Sequence, residues 1–149
     1  MSDNLEESFT LEMAYHILLK EYQISSLQEI PYDTYQRLAI TIGNLKEKEY
    51  DILEKRIVQK IIENLSIISN LLLQIRIEKI LIGNIKSNLE IGYSKMTDEE
   101  KFIIDGEIQA KRKRKEITTL ITNGQSKILE KITDTIKQKK LLIIFVKQM

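Results

Sequence analysis

The apolar positions of the chain recur mostly at three- and four-residue spacing, a period that predicts helices. From about Thr10 to Glu21, Leu11, Tyr15, Leu18, Leu19 and Tyr22 mark one face of a first helix. A second is expected from about Pro31 to Ile42. Proline suits a first helical position, Asp33 falls in the first turn, and Gly43-Asn44 is the expected stop. From about Lys46 to Ile82 neither glycine nor proline intervenes. Ile52, Ile57, Ile61, Leu65, Ile68, Leu72, Ile75, Lys79 and Ile82 keep to one side, which predicts a long central helix. The local alternation in Leu-Gln-Ile-Arg-Ile at 73–77 fits a strand, but the length of the pattern decides for helix.

After a polar connection from Gly83 to Met96, Thr97-Asp98-Glu99-Glu100 has the form of a capping box, with Thr97 accepting from the third helical amide and Glu100 reaching back. A fourth helix carries Phe102, Ile103 and Ile108. It is followed by Lys111-Arg112-Lys113-Arg114-Lys115, then Ile117, Leu120 and Ile121, and a break at Asn123-Gly124. Ile128, Ile132 and Ile136 form a last helical pattern. The segment Leu-Leu-Ile-Ile-Phe-Val at 141–146 is short, β-branched and aromatic, so it reads as a strand, although no partner strand precedes it. The expected fold class is all-α: a bundle of four or five helices with a long central helix, plus a short C-terminal strand-like segment.

Composition narrows the class. A chain of 149 residues, 42% hydrophobic and 30% charged, is long enough for one core and a small appendage, and too apolar for disorder. No apolar run reaches the length of a membrane span. The opening Met-Ser-Asp-Asn-Leu-Glu-Glu-Ser lacks the order of a secretion signal and cysteine is absent, so an intracellular location is expected. Charge is uneven: residues 1–50 carry 4 basic and 9 acidic groups, residues 101–149 carry 12 and 5. Such asymmetry points to a partner for the basic end, to packing of one end on the other, or to plain solvated faces.

Two cations interrupt the central pattern. At about 100° per residue, Arg76 lies about 40° and Lys79 about 20° from Leu72, opposite the polar stripe of Asn70, Gln74 and Glu78. A guanidinium on an apolar face demands a carboxylate or several carbonyl oxygens. Arg76 and Lys79 are therefore expected in structural or interface ion pairs, with Glu99, Glu100 and Asp105 as candidate partners, rather than in catalysis. Ile68, Leu72, Ile75 and Ile82, on the same face, are the candidate interface positions.

The case for an enzyme is thin. One histidine, His16, and no cysteine leave no basis for zinc or thiol chemistry, and no glycine-rich phosphate loop or nucleophile elbow occurs. No catalytic residue, metal or cofactor is expected. The basic run Lys111, Arg112, Lys113, Arg114 and Lys115 has no flanking aromatics. It suits either a solvated face or a nonspecific contact with nucleic acid or an acidic partner.

Three segments in order carry a resemblance: Leu27-Gln28-Glu29-Ile30-Pro31 with Tyr32 and Tyr35; Arg76-Ile77-Glu78-Lys79-Ile80; and Met96-Thr97-Asp98-Glu99-Glu100. Over roughly residues 10–105 the chain resembles the helical domain of the archaeal GINS DNA-replication subunits, of the type in which that domain precedes a small β domain. In that family the corresponding patterns are a leucine-rich entry ending in proline and two aromatics, an arginine and lysine three apart in a central helix, and a Leu-Thr-x-Glu-Glu opening of the next helix. Here the second aromatic stands one place later, at Tyr35, and methionine replaces leucine at Met96. The terminal Lys-Lys-Leu-Leu-Ile-Ile-Phe-Val-Lys-Gln-Met is similar to the first strand of the β domain, without the proline and aromatic that normally continue it.

The resemblance implies three parts: a helical domain over 1–106, a basic helical extension or linker over 107–140, and the first strand of a truncated or absent β domain over 141–149. It also implies a noncatalytic scaffold subunit at the chromosomal replication fork of an archaeal cell, in the cytoplasm. The implied partners are a second GINS subunit type in a two-plus-two tetramer, the MCM helicase and a RecJ-like protein, with at most weak DNA contact and no membrane. A free-standing helical nucleic-acid-binding protein using residues 111–115 is the competing expectation.

Overall fold

A computed structural model describes residues 9–86 and 93–148, and all regular structure within them is helical. The elements are α1 (Leu11–Gln23), α2 (Thr34–Glu47), α3 (Ile52–Lys86), α4 (Asp98–Thr122) and α5 (Ser126–Gln148). They divide into two compact units, Met1–Ile104 and Asp105–Met149, the boundary falling within α4.

In the first unit α1 and α2 both pack against α3. Thr10 caps α1, its hydroxyl accepting from the Met13 amide at 3.1 Å. Phe9, Ala14, Leu38, Leu65 and Ile68 form the buried cluster, with Leu18, Tyr35 and Leu45 among the residues packed around it. A threonine ties the entry of α1 to α2: the Thr41 hydroxyl accepts from the Phe9 amide at 2.9 Å and donates to the Arg37 carbonyl at 2.8 Å.

Three boundaries differ from the periodic expectation, each for a local reason. Pro31 precedes α2 because its carbonyl accepts from both the amide and the hydroxyl of Thr34, closing a turn in front of the helix. The helix continues past Gly43, which brings Leu45 onto the core. The central helix then starts at Ile52 rather than Lys46, and the Asp51 carboxylate accepts from the Glu54 amide at 2.8 Å at its entry.

Over its 35 residues α3 runs about 52 Å. Its buried face begins at Leu65 and continues through Ile68, Leu72, Arg76 and Ile80, at spacings of three and four. The earlier turns, with Ile52 and Ile57, stand exposed. The polar connection expected over 83–96 starts later, since α3 reaches Lys86. Its residues 87–92 lie outside the described residues.

The capping box at Thr97 opens α4. The Thr97 hydroxyl accepts from the Glu100 amide at 3.2 Å, and the Glu100 carboxylate accepts from the Thr97 amide at 2.9 Å. The helix carries the basic run without a break and ends before Gly124, whose φ of 68° is the left-handed conformation that glycine adopts at no steric cost. The second unit comprises residues of α4 from Asp105 onward together with α5.

Residues 141–148, expected as a strand, are the last turns of α5. A strand needs a neighbour to take its amides and carbonyls, and no strand occurs among the described residues. A helix satisfies the same groups within the segment. No described helix is long and apolar enough to cross a membrane.

Candidate functional site: a buried guanidinium that ties three segments

Arg76 is wholly buried, and α3 carries it into a cage built by α1, the 24–33 connection and the start of α4. Its Nε donates to Glu100 Oε2 at 2.6 Å. One terminal nitrogen donates to Glu21 Oε1 at 3.0 Å and to the Gln28 carbonyl at 2.7 Å. The other donates to Glu100 Oε1 at 3.1 Å and to the Lys95 carbonyl at 2.8 Å. A guanidinium has five N–H groups, and all five are used.

Both carboxylates are wholly buried, and Glu100 accepts more hydrogen bonds than Glu21. Glu21 Oε2 accepts from the Gln28 amide at 3.0 Å. Glu100 Oε2 also accepts from the Tyr35 hydroxyl at 2.9 Å, while Oε1 takes the Thr97 amide of the capping box. One carboxylate therefore serves the helix cap, the tyrosine of α2 and the arginine of α3 together.

Lys79 lies one turn further along α3. Its Nζ donates to the carbonyls of Glu21, Ile24 and Ser26 and lies 3.6 Å from Glu21 Oε2. An ammonium has three N–H groups, and three carbonyls receive them. Lys95 Nζ adds a 3.4 Å contact to the Leu27 carbonyl. The irregular chain after α1 is thus fixed mainly through its backbone, which is why Leu27-Gln28 needs no secondary structure of its own.

Charge balance and solvation decide what this cluster can do. Two cations, Arg76 and Lys79, face two carboxylates, Glu21 and Glu100, so the group is neutral overall. Burial works against the Arg76 charge, but the hydrogen bonds and charge of Glu100, then the charge of Glu21, outweigh it and raise its pKa. Burial first, and then the Glu100 charge and hydrogen bond, push the Tyr35 hydroxyl well above its ordinary range. With Arg76, Glu21 and Glu100 all at 0% exposure, no substrate reaches the charged atoms. The arrangement holds segments together.

The other expected positions are dispersed. Glu99, beside Glu100, has one buried oxygen without a hydrogen-bond partner, and Asp105 is exposed on α4. Ile68 and Leu72, expected at an interface, are buried inside the first unit; Ile75 is half-buried, and only Ile82 is exposed. Lys111, Arg112, Lys113, Arg114 and Lys115 are all exposed. His16 lies on the outer side of α1, 3.7 Å from Glu12. Among the described residues no group of three or more His, Cys, Asp and Glu is placed to hold a metal.

Glu21 and Tyr35 are the members that the periodic reading misses. Glu21 had a signal: seven residues after Ala14, it falls about 20° from it on the helical wheel, so it is a carboxylate on the apolar side of α1. Tyr35 had none in its spacing, because an aromatic at the start of a helix reads as ordinary packing, and only the resemblance singled it out.

No family model matches the chain, and neither a curated protein nor a solved structure matches it.

Proposed function

We propose that this chain is a noncatalytic structural subunit of a GINS complex. In that role it scaffolds and stimulates the MCM replicative helicase together with a RecJ-like partner at an archaeal replication fork, in the cytoplasm. Its immediate partner is a second GINS subunit type in a two-plus-two tetramer. One observation carries the reading: the three segments of the resemblance, far apart in sequence, meet at Arg76. The Leu27–Pro31 entry gives the Gln28 carbonyl, Arg76 and Lys79 stand on α3, and the Thr97–Glu100 opening gives the carboxylate. Residues that meet in one cage are constrained together, which favours a single structural origin over three chance matches. A wholly satisfied, inaccessible charge cluster also suits a rigid scaffold better than a reacting centre.

The test is reconstitution. Mixed with an archaeal GINS subunit of the other type, the chain is expected to co-elute in size exclusion at a mass above either component. The assembly is then expected to stimulate MCM unwinding, with ATP hydrolysis remaining on MCM. Separate elution together with unchanged unwinding would refute the reading.

A second reading, a free-standing nucleic-acid-binding helical protein, draws on the exposure of residues 111–115. Five consecutive helical residues spread over about 400° of arc, so they cannot all face one phosphate backbone. If the run nevertheless touches duplex DNA, replacing Lys111 to Lys115 with serine flattens the slope of log affinity against log salt by about 0.9 for each phosphate no longer neutralised. An unchanged slope removes the run from any such role.

A further inference from the structure

The apolar pattern of α5 changes character part-way along the helix. At about 100° per residue, Ile128, Ile132 and Ile136 keep within about 80° of arc, the stripe of a helix with one covered face. Beyond Lys140 that restriction ends. Leu141, Leu142, Ile143, Ile144 and Val146 fall at about 0°, 100°, 200°, 300° and 140°, so no direction around the axis lies more than about 50° from an apolar side chain. All five are exposed, by 53% to 67%.

An apolar ring limits what can cover these turns. A neighbouring helix, of this chain or of another, takes one face, and a groove takes a face with its flanks. Whatever lies against one side of residues 141–146, apolar surface remains on the others. A ring is dry only inside a protein core or among lipid chains. Charge decides between the two. From Thr135 to Gln148 the chain has four lysines and no acidic residue. Lys137, Lys139 and Lys140 precede the ring, Lys147 follows it, and all four are exposed. A protein core would have to supply a counter-charge for each lysine that it encloses. At a lipid surface the lysine stems lie along the acyl boundary while the ammonium groups reach anionic headgroups. Length agrees, since six residues of helix rise about 9 Å, too short to span a bilayer. With lysine on both sides the ring lies along the surface. A helix is about 10 Å across, close to the depth of roughly 5–10 Å at which interfacial helices rest.

We propose that residues 137–147 of α5 dock on an anionic lipid surface, with the ring of Leu141, Leu142, Ile143, Ile144 and Val146 sunk into the acyl boundary. Lys137, Lys139, Lys140 and Lys147 meet the headgroups from either side of it. The contact does not depend on the subunit role proposed above.

The test is co-sedimentation of the full chain with vesicles equimolar in phosphatidylcholine and phosphatidylserine, compared with vesicles of phosphatidylcholine alone. The chain is expected to bind the mixed vesicles and to lose at least about tenfold in affinity on the neutral ones, since each lysine at an anionic surface contributes about fivefold. Leu141→Gln, Leu142→Gln, Ile143→Gln and Ile144→Gln, one on each side of the ring, each weaken binding at least about threefold. All four positions are exposed and glutamine is a good helix former, so circular dichroism is expected to stay that of the parent. Any of three results overturns the proposal: a chain that does not sediment with the mixed vesicles; binding of equal strength to both kinds of vesicle; or a loss confined to one or two of the four glutamine variants, the mark of a one-sided contact.

Discussion

Arg76 has no spare donor, and that sets the cost of altering it. Arg76→Met leaves the buried Glu100 carboxylate without its cation and Glu21 with only Lys79 at 3.6 Å, so a loss of about 3–5 kcal/mol is expected in urea unfolding. A variant that makes Arg76, Glu21 and Glu100 all apolar should recover part of that: the one charge left, Lys79, keeps its three carbonyls, but Tyr35 and the Thr97 amide lose the Glu100 acceptor. If Arg76→Met unfolds like the parent, the cage contributes nothing to stability. Tyr35 gives a pH signature. Its folded pKa lies above the ordinary tyrosine value of 10.0, so the folded state holds the proton more tightly than the unfolded one. Its contribution is therefore present below about pH 10 and is lost as pH rises past that value. Tyr35→Phe should flatten the decline of stability above that pH, as read by denaturation midpoints across the alkaline range. At this scale the sequence exposed half of the cage. Arg76 on an apolar face demanded a carboxylate and Glu100 was among the candidates, but Glu21 came from a helix 55 residues away, a distance no local pattern spans.

At the scale of elements, local chemistry governs the ends and packing governs the extents. The Thr97 cap was legible because hydroxyl and carboxylate stand three apart, and Gly124 because only a left-handed residue turns the chain there so cheaply. Thr97→Ala should cost about 1 kcal/mol in chemical unfolding, because it removes the acceptor of the Glu100 amide while the backbone amide at 97 still reaches the Glu100 carboxylate. The start of α3 and the overrun of α2 were not legible. Leu45 joins the core only once α2 is packed, and that burial carries the helix through a glycine that would otherwise stop it. The last six apolar residues of α5 show the same limit, since their β-branched character fits either state and the absence of a partner strand among the described residues decides.

At the scale of the molecule, the two units differ in how they are held. The first has a buried cluster and a saturated charge cage, whereas most of α5 and the basic stretch of α4 are exposed. Helices without packed faces open locally at low cost. Limited trypsin digestion at low protein concentration should therefore cut within 111–115 and 137–140 well before it cuts α3, leaving a fragment that retains Arg76, identifiable by mass spectrometry. First cuts inside residues 60–80 would show that stability is spread evenly.

The sequence alone determined the helical class, the presence of a long central helix, the cap at Thr97, the turn at Gly124 and the need of Arg76 for a counter-charge. Each rests on spacing within about a turn or on the chemistry of one residue. Only the tertiary structure decided that Glu21, Tyr35 and the Gln28 and Lys95 carbonyls complete the cage, that Ile68 and Leu72 face inward, and that the terminal apolar run is helix. Those outcomes depend on contacts between segments distant in the chain, or on neighbours that a segment lacks, and periodicity carries no record of either.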